Sequence, residues 1–212
     1  MTNLCVETPT ITQLRKMFRT IQQRNKPKYG DISAHTHNKR NQLVKCNHEA
    51  FTVSFFDGTN KVSCQMFWED LERAVDFLDN KLKFERKVDV QSRYDTFLGK
   101  MKSEGKSIYN HIIENEMKIN SKDSFGEPKQ YTVCRNKFPY DFGNHRHFLL
   151  WIHPECNEKT REIIFNKEKC YEFVKNVSES NNNELGSRFI IFRNAPINKS
   201  VQTIEHFHII CY

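Results

Sequence analysis

The chain reads as an α+β domain, with a mainly antiparallel sheet in its C-terminal half and helices from its N-terminal half packed on it. Helix-period apolar patterns dominate residues 68–118. Short runs rich in aromatic and β-branched residues then follow from Tyr131 to the end. Size agrees with this reading. The 212 residues suffice for one domain plus an extension, and 17 Phe with 7 Tyr supply core area although only 37% of residues are hydrophobic.

In chain order, residues 51–56 and 61–67 flank Asp57-Gly58-Thr59-Asn60, a hairpin signal. Trp68, Leu71, Val75, Leu78 and Leu82 mark an amphipathic helix, and Tyr94, Phe97 and Met101 a second one ending near Gly105. Ser107 caps a third helix, with Ile108, Ile112 and Ile113 turned inward. Residues 120–128, with Gly126 and Pro128, read as a loop. Strands are expected over 131–134, 148–152, 162–165, 189–192 and 207–211. Asn166 caps a helix over 167–177 with Tyr171, Val174 and Val177 inward, and residues 178–186 form a polar loop. Trp68 and Trp151 are expected in the core.

The net charge of +7 is concentrated at one end. Residues 1–48 carry nine Lys and Arg against Glu7 and Asp31, whereas the other 24 basic and 24 acidic residues cancel. The chain thus divides into a basic N-terminal extension, 1–48, and a single α+β domain, 49–212. The arm suits either contact with nucleic acid through counterion release or a merely solvated tail. Within it, Ile11, Leu14, Phe18 and Ile21 share a helical stripe after Thr10, and residues 24–47 read as linker. No apolar run reaches membrane-spanning length and no signal-peptide core is evident. The seven Cys are scattered without a CxxC pair, as in reduced intracellular proteins. These features lead to the expectation of a cytoplasmic, or else nuclear, protein with no membrane association.

Two blocks carry the chemistry. One runs from Arg135 through Asn136, Lys137, Tyr140, His145 and His147 into an apolar strand. The other holds Asn194, Lys199 and Ser200 and ends in Glu205-His206-Phe207-His208-Ile209. Strand alternation puts His206 and His208 on one face. A neutral imidazole attacks phosphorus readily, and a second one, once protonated, steadies charge on the phosphoryl oxygens. Lys137, Arg146, Arg193 and Lys199 lie close in sequence and are candidates to complete an anion pocket.

From Trp68 to the C-terminus the chain resembles an uncharacterised, mainly fungal family that includes the N-acetylglucosamine-induced protein. The matching features are Trp68, Tyr94, Ser107-x-Tyr109, Asn136-x-Phe138-Pro139-Tyr140, His147-Phe148-Leu149-Leu150-Trp151 and Lys199-Ser200-Val201 before His206-x-His208. More distantly it resembles the histidine-triad nucleotide hydrolases and transferases. Asn136 to Tyr140, Gly143 and His145 echo their first block; Asn194, Ser200-Val201 and His206 to Ile210 echo their last. That resemblance implies a histidine-triad-like fold and a nucleotide or other phosphorylated small molecule as ligand. It also implies His206 as nucleophile and His208 as the last histidine of the motif. Asn136, Lys137, Tyr140, His145, His147, Asn194, Lys199 and Ser200 are the expected substrate-binding residues. Ile204 departs from the pattern, standing where the first histidine would be.

The reading is therefore a histidine-dependent hydrolase or transferase without a cofactor. The alternative is a non-enzymatic ligand- or partner-binding protein with a degenerate pocket and a basic arm that contacts nucleic acid. In chemistry the main competitor is zinc held by His206 and His208 with His145 or His147. His35, His37, Cys46 and His48 have zinc-ligand types but no compact-finger spacing. There is no Gly-rich phosphate loop, no Ser nucleophile elbow and no HExxH.

Overall fold

A computed structural model describes residues 50–57, 60–118, 129–180 and 184–212. The arm helix, the linker, the His35–His48 cluster and the loop expected over 120–128 fall wholly or mostly outside these residues. The described elements are β1 (Phe51–Asp57), β2 (Asn60–Met66), α1 (Trp68–Ala74), β3 (Lys83–Phe84), α2 (Val88–Ser103) and α3 (Ile108–His111). After α3 come a π turn (Ile112–Glu116), β4 (Tyr131–Arg135), β5 (Arg146–Ile152), α4 (Glu158–Phe165), α5 (Lys167–Ser180), β6 (Phe189–Phe192), a 3-10 turn (Pro196–Asn198) and β7 (His206–Cys211). The molecule is α+β, with all strand pairs antiparallel among the described strands.

Two sheets form. The first has strand order β2-β1-β3 and the second β4-β5-β7-β6. In the second, Leu149 pairs with His208 and Trp151 with His206, so these side chains share a face with His147 and Phe192. The opposite face carries Phe148, Leu150, Ile152, Phe207 and Ile209. It packs on Ile164, Cys170 and Val174 of α4 and α5. The histidine face is covered at one end by the first sheet and α1, through Phe84, Tyr140 and Phe142 against Ile190, Phe192 and Ile210. At the other end Ile112 and Met117 pack against Trp151 and Ile204. Both sheet faces are therefore largely covered, which explains why β7 is buried along its whole length.

Several expectations hold. Ser107 caps α3, accepting from Asn110 N at 3.5 Å, and Asn166 caps α5, accepting from Lys169 N at 3.0 Å. Both tryptophans are buried. Two expectations fail. The helix starting at Trp68 stops at Ala74 instead of reaching Leu82. There the Asp76 carboxylate accepts from the N–H groups of Leu78 and Asp79, both at 2.9 Å, offering the backbone a turn in place of a helix. Residues 77–80 then run beside 193–195, with Asn80 N–H donating to Arg193 O and Ala195 N–H to Asn80 O, each at 2.9 Å. Residues 162–165 are helix, not strand. Asn157 caps α4 by accepting from Thr160 N at 2.8 Å, and Ile164 is turned to the core. A four-residue apolar run fits either period, and here the upstream cap decides.

Candidate functional site

Strand pairing between β5 and β7 brings His147, His206 and His208 together, all 3–4% exposed. Their hydrogen bonds determine what each ring can do. The Tyr140 backbone N–H donates to His147 Nδ1 at 3.1 Å, so that ring carries its proton on Nε2. His147 Nε2 then donates to His208 Nδ1 at 2.9 Å, which leaves the His208 proton on its own Nε2. That atom lies 3.0 Å from the Asn194 amide.

As placed, Asn194 donates to the Tyr140 hydroxyl at 2.9 Å and accepts from Asn80 at a long 3.4 Å. A half-turn of the amide puts its oxygen against His208 Nε2–H, gives up the Asn80 contact and satisfies both rings. Asn136 accepts from Phe138 N at 2.9 Å and sets its amide nitrogen 3.3 and 3.4 Å from the two His147 nitrogens. That near-equal spacing puts it over the ring. Both nitrogens of His208 are thus spent inside the protein.

His206 differs. Its Nδ1–H donates to the Ile204 carbonyl at 3.0 Å. The lone pair therefore sits on Nε2, which has no hydrogen-bond partner among the described residues. Its ring packs on Trp151 with centroids 4.7 Å apart. Burial holds all three rings neutral at pH 7. It pushes His147 down to about 3 and His206 to about 4, and takes His208 well below the usual imidazole value. His208 is therefore not the protonated clamp expected from the sequence.

His206 and His208 line a cleft of about 220 Å³ between the sheet and the α2–α3 segment. Its wall is largely apolar and aromatic, with Tyr94, Phe97, Ile108, Phe138, Leu149 and Trp151. The polar groups on it include Arg86, His111, Glu116, Arg135, Asn136, Lys137 and Ser200. Larger hollows beside β4 and α5 (about 520 Å³) and beside His145 (about 660 Å³) do not include His206.

The other expected residues are divided among several places. Asn136, Lys137 and Ser200 line the cleft, and Tyr140 and Asn194 belong to the buried network behind it. Lys137 is paired with Glu116 at 2.5 Å. Lys199 and Arg193 both pair with Glu205, at 2.7 and 3.2 Å. Arg146 donates to the Glu184 carbonyl. His145 lies apart, stacked on Tyr212 at 5.4 Å with Phe51 and Trp68 edge-on. His147 and His208 direct nitrogens at each other, and no group of three His, Cys, Asp or Glu able to hold a metal ion occurs among the described residues.

Sequence reasoning missed Arg86 and the π turn carrying Glu116. A π turn inside a helical run is a recognised mark of functional sites, but it follows from packing and has no sequence signal. Arg86 had one faint cue, its proximity to Tyr94.

No helix among the described residues is long and apolar enough to cross a membrane. No curated protein and no solved structure matches the chain. A family model described as protein of unknown function (DUF3605) matches residues 67–212, the stretch that holds α1 and the whole histidine sheet. The chain belongs to that family.

Proposed function

We propose that the protein is a histidine-dependent hydrolase or transferase acting on a phosphorylated small molecule, a nucleotide being the leading candidate, with His206 as nucleophile. The observation that carries this reading is a free imidazole lone pair on the cleft wall, without a partner among the described residues. His206 Nδ1–H is tied to the Ile204 carbonyl, and Nε2 is neutral and unpartnered on the wall of the cleft. The resemblance of the last strand to the histidine-triad enzymes supports it. Ile204 is no obstacle, since its backbone oxygen orients the ring whatever its side chain.

In this reading Nε2 attacks phosphorus, and the bond to the leaving group breaks with its electron pair. The ring, retaining its Nδ1 proton, becomes a phosphorylated imidazolium. Water then attacks phosphorus, the P–N bond returns its pair to Nε2, and the water proton passes to a phosphate oxygen. A leaving group that departs as a phosphate anion needs no protein acid. Tyr94, Phe97 and Phe138 offer faces to a planar ring such as a base.

A library of phosphorylated metabolites and nucleotides, screened for thermal shift and then turnover, tests the proposal. His206→Ala should abolish turnover of any hit, and His206→Gly should regain part of it with added imidazole. Full activity in His206→Ala would refute the mechanism. Activity lost on chelation and restored by zinc would put a metal mechanism in its place. The second reading, binding without turnover, is favoured by one observation, that His208 is fully hydrogen-bonded and neutral. Hits that bind and are never converted would establish it.

A further inference from the structure

The cations offered by sequence proximity are spent elsewhere, since Lys137, Lys199 and Arg193 face carboxylates and Arg146 faces a carbonyl. Arg86 is different. It lies two residues after β3, and the residue before it is fixed at both backbone groups, Glu85 N–H donating to Ser54 O and Asp141 N–H to Glu85 O, at 2.9 and 2.7 Å. Its Nε donates to the Phe138 carbonyl at 3.0 Å and its Nη1 to the Gln91 amide oxygen at 3.4 Å. The guanidinium carbon sits 4.2 Å from the Tyr94 ring centroid and 5.1 Å from that of Tyr140. Among the described residues no carboxylate lies within ion-pair distance of it, and it lines the same cleft as His206.

We infer that Arg86 is the anion-recognition residue of this cleft and that it takes a phosphate-type oxyanion. Two neutral acceptors and two aromatic faces hold the guanidinium in one orientation without neutralising it. A half-buried, preorganised cation with no counter-ion, on the wall of an apolar cleft, is completed by a ligand that brings the negative charge and acceptor oxygens. Nη2 has no hydrogen-bond partner among the described residues and is available to that ligand. Its field also helps keep His147 and His208 neutral, so the guanidinium stands above a floor of uncharged imidazoles. In place of His208, Arg86 is the clamp. The assignment deepens the proposed function and rests on it only for the identity of the reacting group.

The test is a titration of the full chain with inorganic phosphate at fixed ionic strength, read by ³¹P line broadening, with acetate titrated in parallel. Arg86→Gln should weaken phosphate binding about tenfold or more, as expected for a charge-assisted pair. Arg86→Lys should fall between, keeping the charge and losing the fork. The surface change Lys102→Gln should stay within about twofold, since an exposed charge acts only through a screened field. Folding of each variant is checked by circular dichroism, and if Arg86→Gln does not fold the Lys variant decides. Unchanged phosphate affinity in a folded Arg86 variant overturns the inference. So does absence of wild-type binding at tens of millimolar phosphate, and so does acetate binding tighter than phosphate. Phosphate binding through Arg86 with no compound ever turned over would sink the hydrolase proposal and leave this assignment intact. Turnover with an unchanged KM in Arg86→Gln would do the reverse.

Discussion

Acidification from pH 7 to pH 5 should strip the protein of a large part of its stability, and the cause is the buried imidazoles. In the unfolded chain each histidine titrates near 6.5. In the folded protein burial lowers His147 to about 3 and His206 to about 4. A folded pKa below the unfolded one means that the unfolded state takes up protons first, so stability rises with pH. The contribution is fully present above about pH 7, fades below about 6.5, and is exhausted only below the folded values. Between pH 7 and 5 each of these two rings costs about 1.8 kcal/mol by linkage at 1.36 kcal/mol per unit, or about 3–4 kcal/mol together. His208 and, more weakly, half-buried His145 act in the same direction. Glu205 is held low by Lys199 and Arg193, so its loss falls below this window. Against a typical total of about 5–15 kcal/mol this is a steep loss. Urea melts at pH 7, 6 and 5 and constant ionic strength would show the midpoint falling without a change in slope. A stability unchanged from pH 7 to 5, or any of the three rings titrating near 6.5 in the folded protein by NMR, would refute the reasoning.

Other outcomes follow from packing. Phe207→Ala should cost about 3–5 kcal/mol in denaturant melts, because Phe207 is fully buried between Phe77 and Phe165. Gly143→Ala should cost about 1–2 kcal/mol, since Gly143 has φ +63° and a new Cβ would lie 3.3 Å from that of Phe51. Thermal melts of the pair check this. Deleting residues 1–45 should leave a folded body by circular dichroism. Any nucleic-acid affinity should fall steeply with salt and vanish with the deletion. Finally, His206→Ala should lose about 1–3 kcal/mol as well as activity. The ring is 3% exposed against Trp151, so a nearly neutral effect, expected for a ring facing open solvent, does not apply.

Local rules were sufficient for much of this molecule. Alternation alone put His206 and His208 on one face of a strand and Phe207 on the other, because side-chain direction in a strand depends only on position parity. The caps Ser107 and Asn166 were likewise legible, since a cap bonds within three residues of itself. Tertiary structure decided where each pattern ended and which partners met. Helix α1 stops at Ala74 because Asp76 turns the chain and residues 77–80 are claimed by 193–195. His147 entered the network and His145 left it because strand register, set over 60 residues away, put only His147 beside His208. The charges were least legible of all. Glu205 takes Lys199 and Arg193, while Arg86, far from both histidine blocks in sequence, is left facing the cleft. Charge pairing depends on distance in space, and one-dimensional proximity does not encode it.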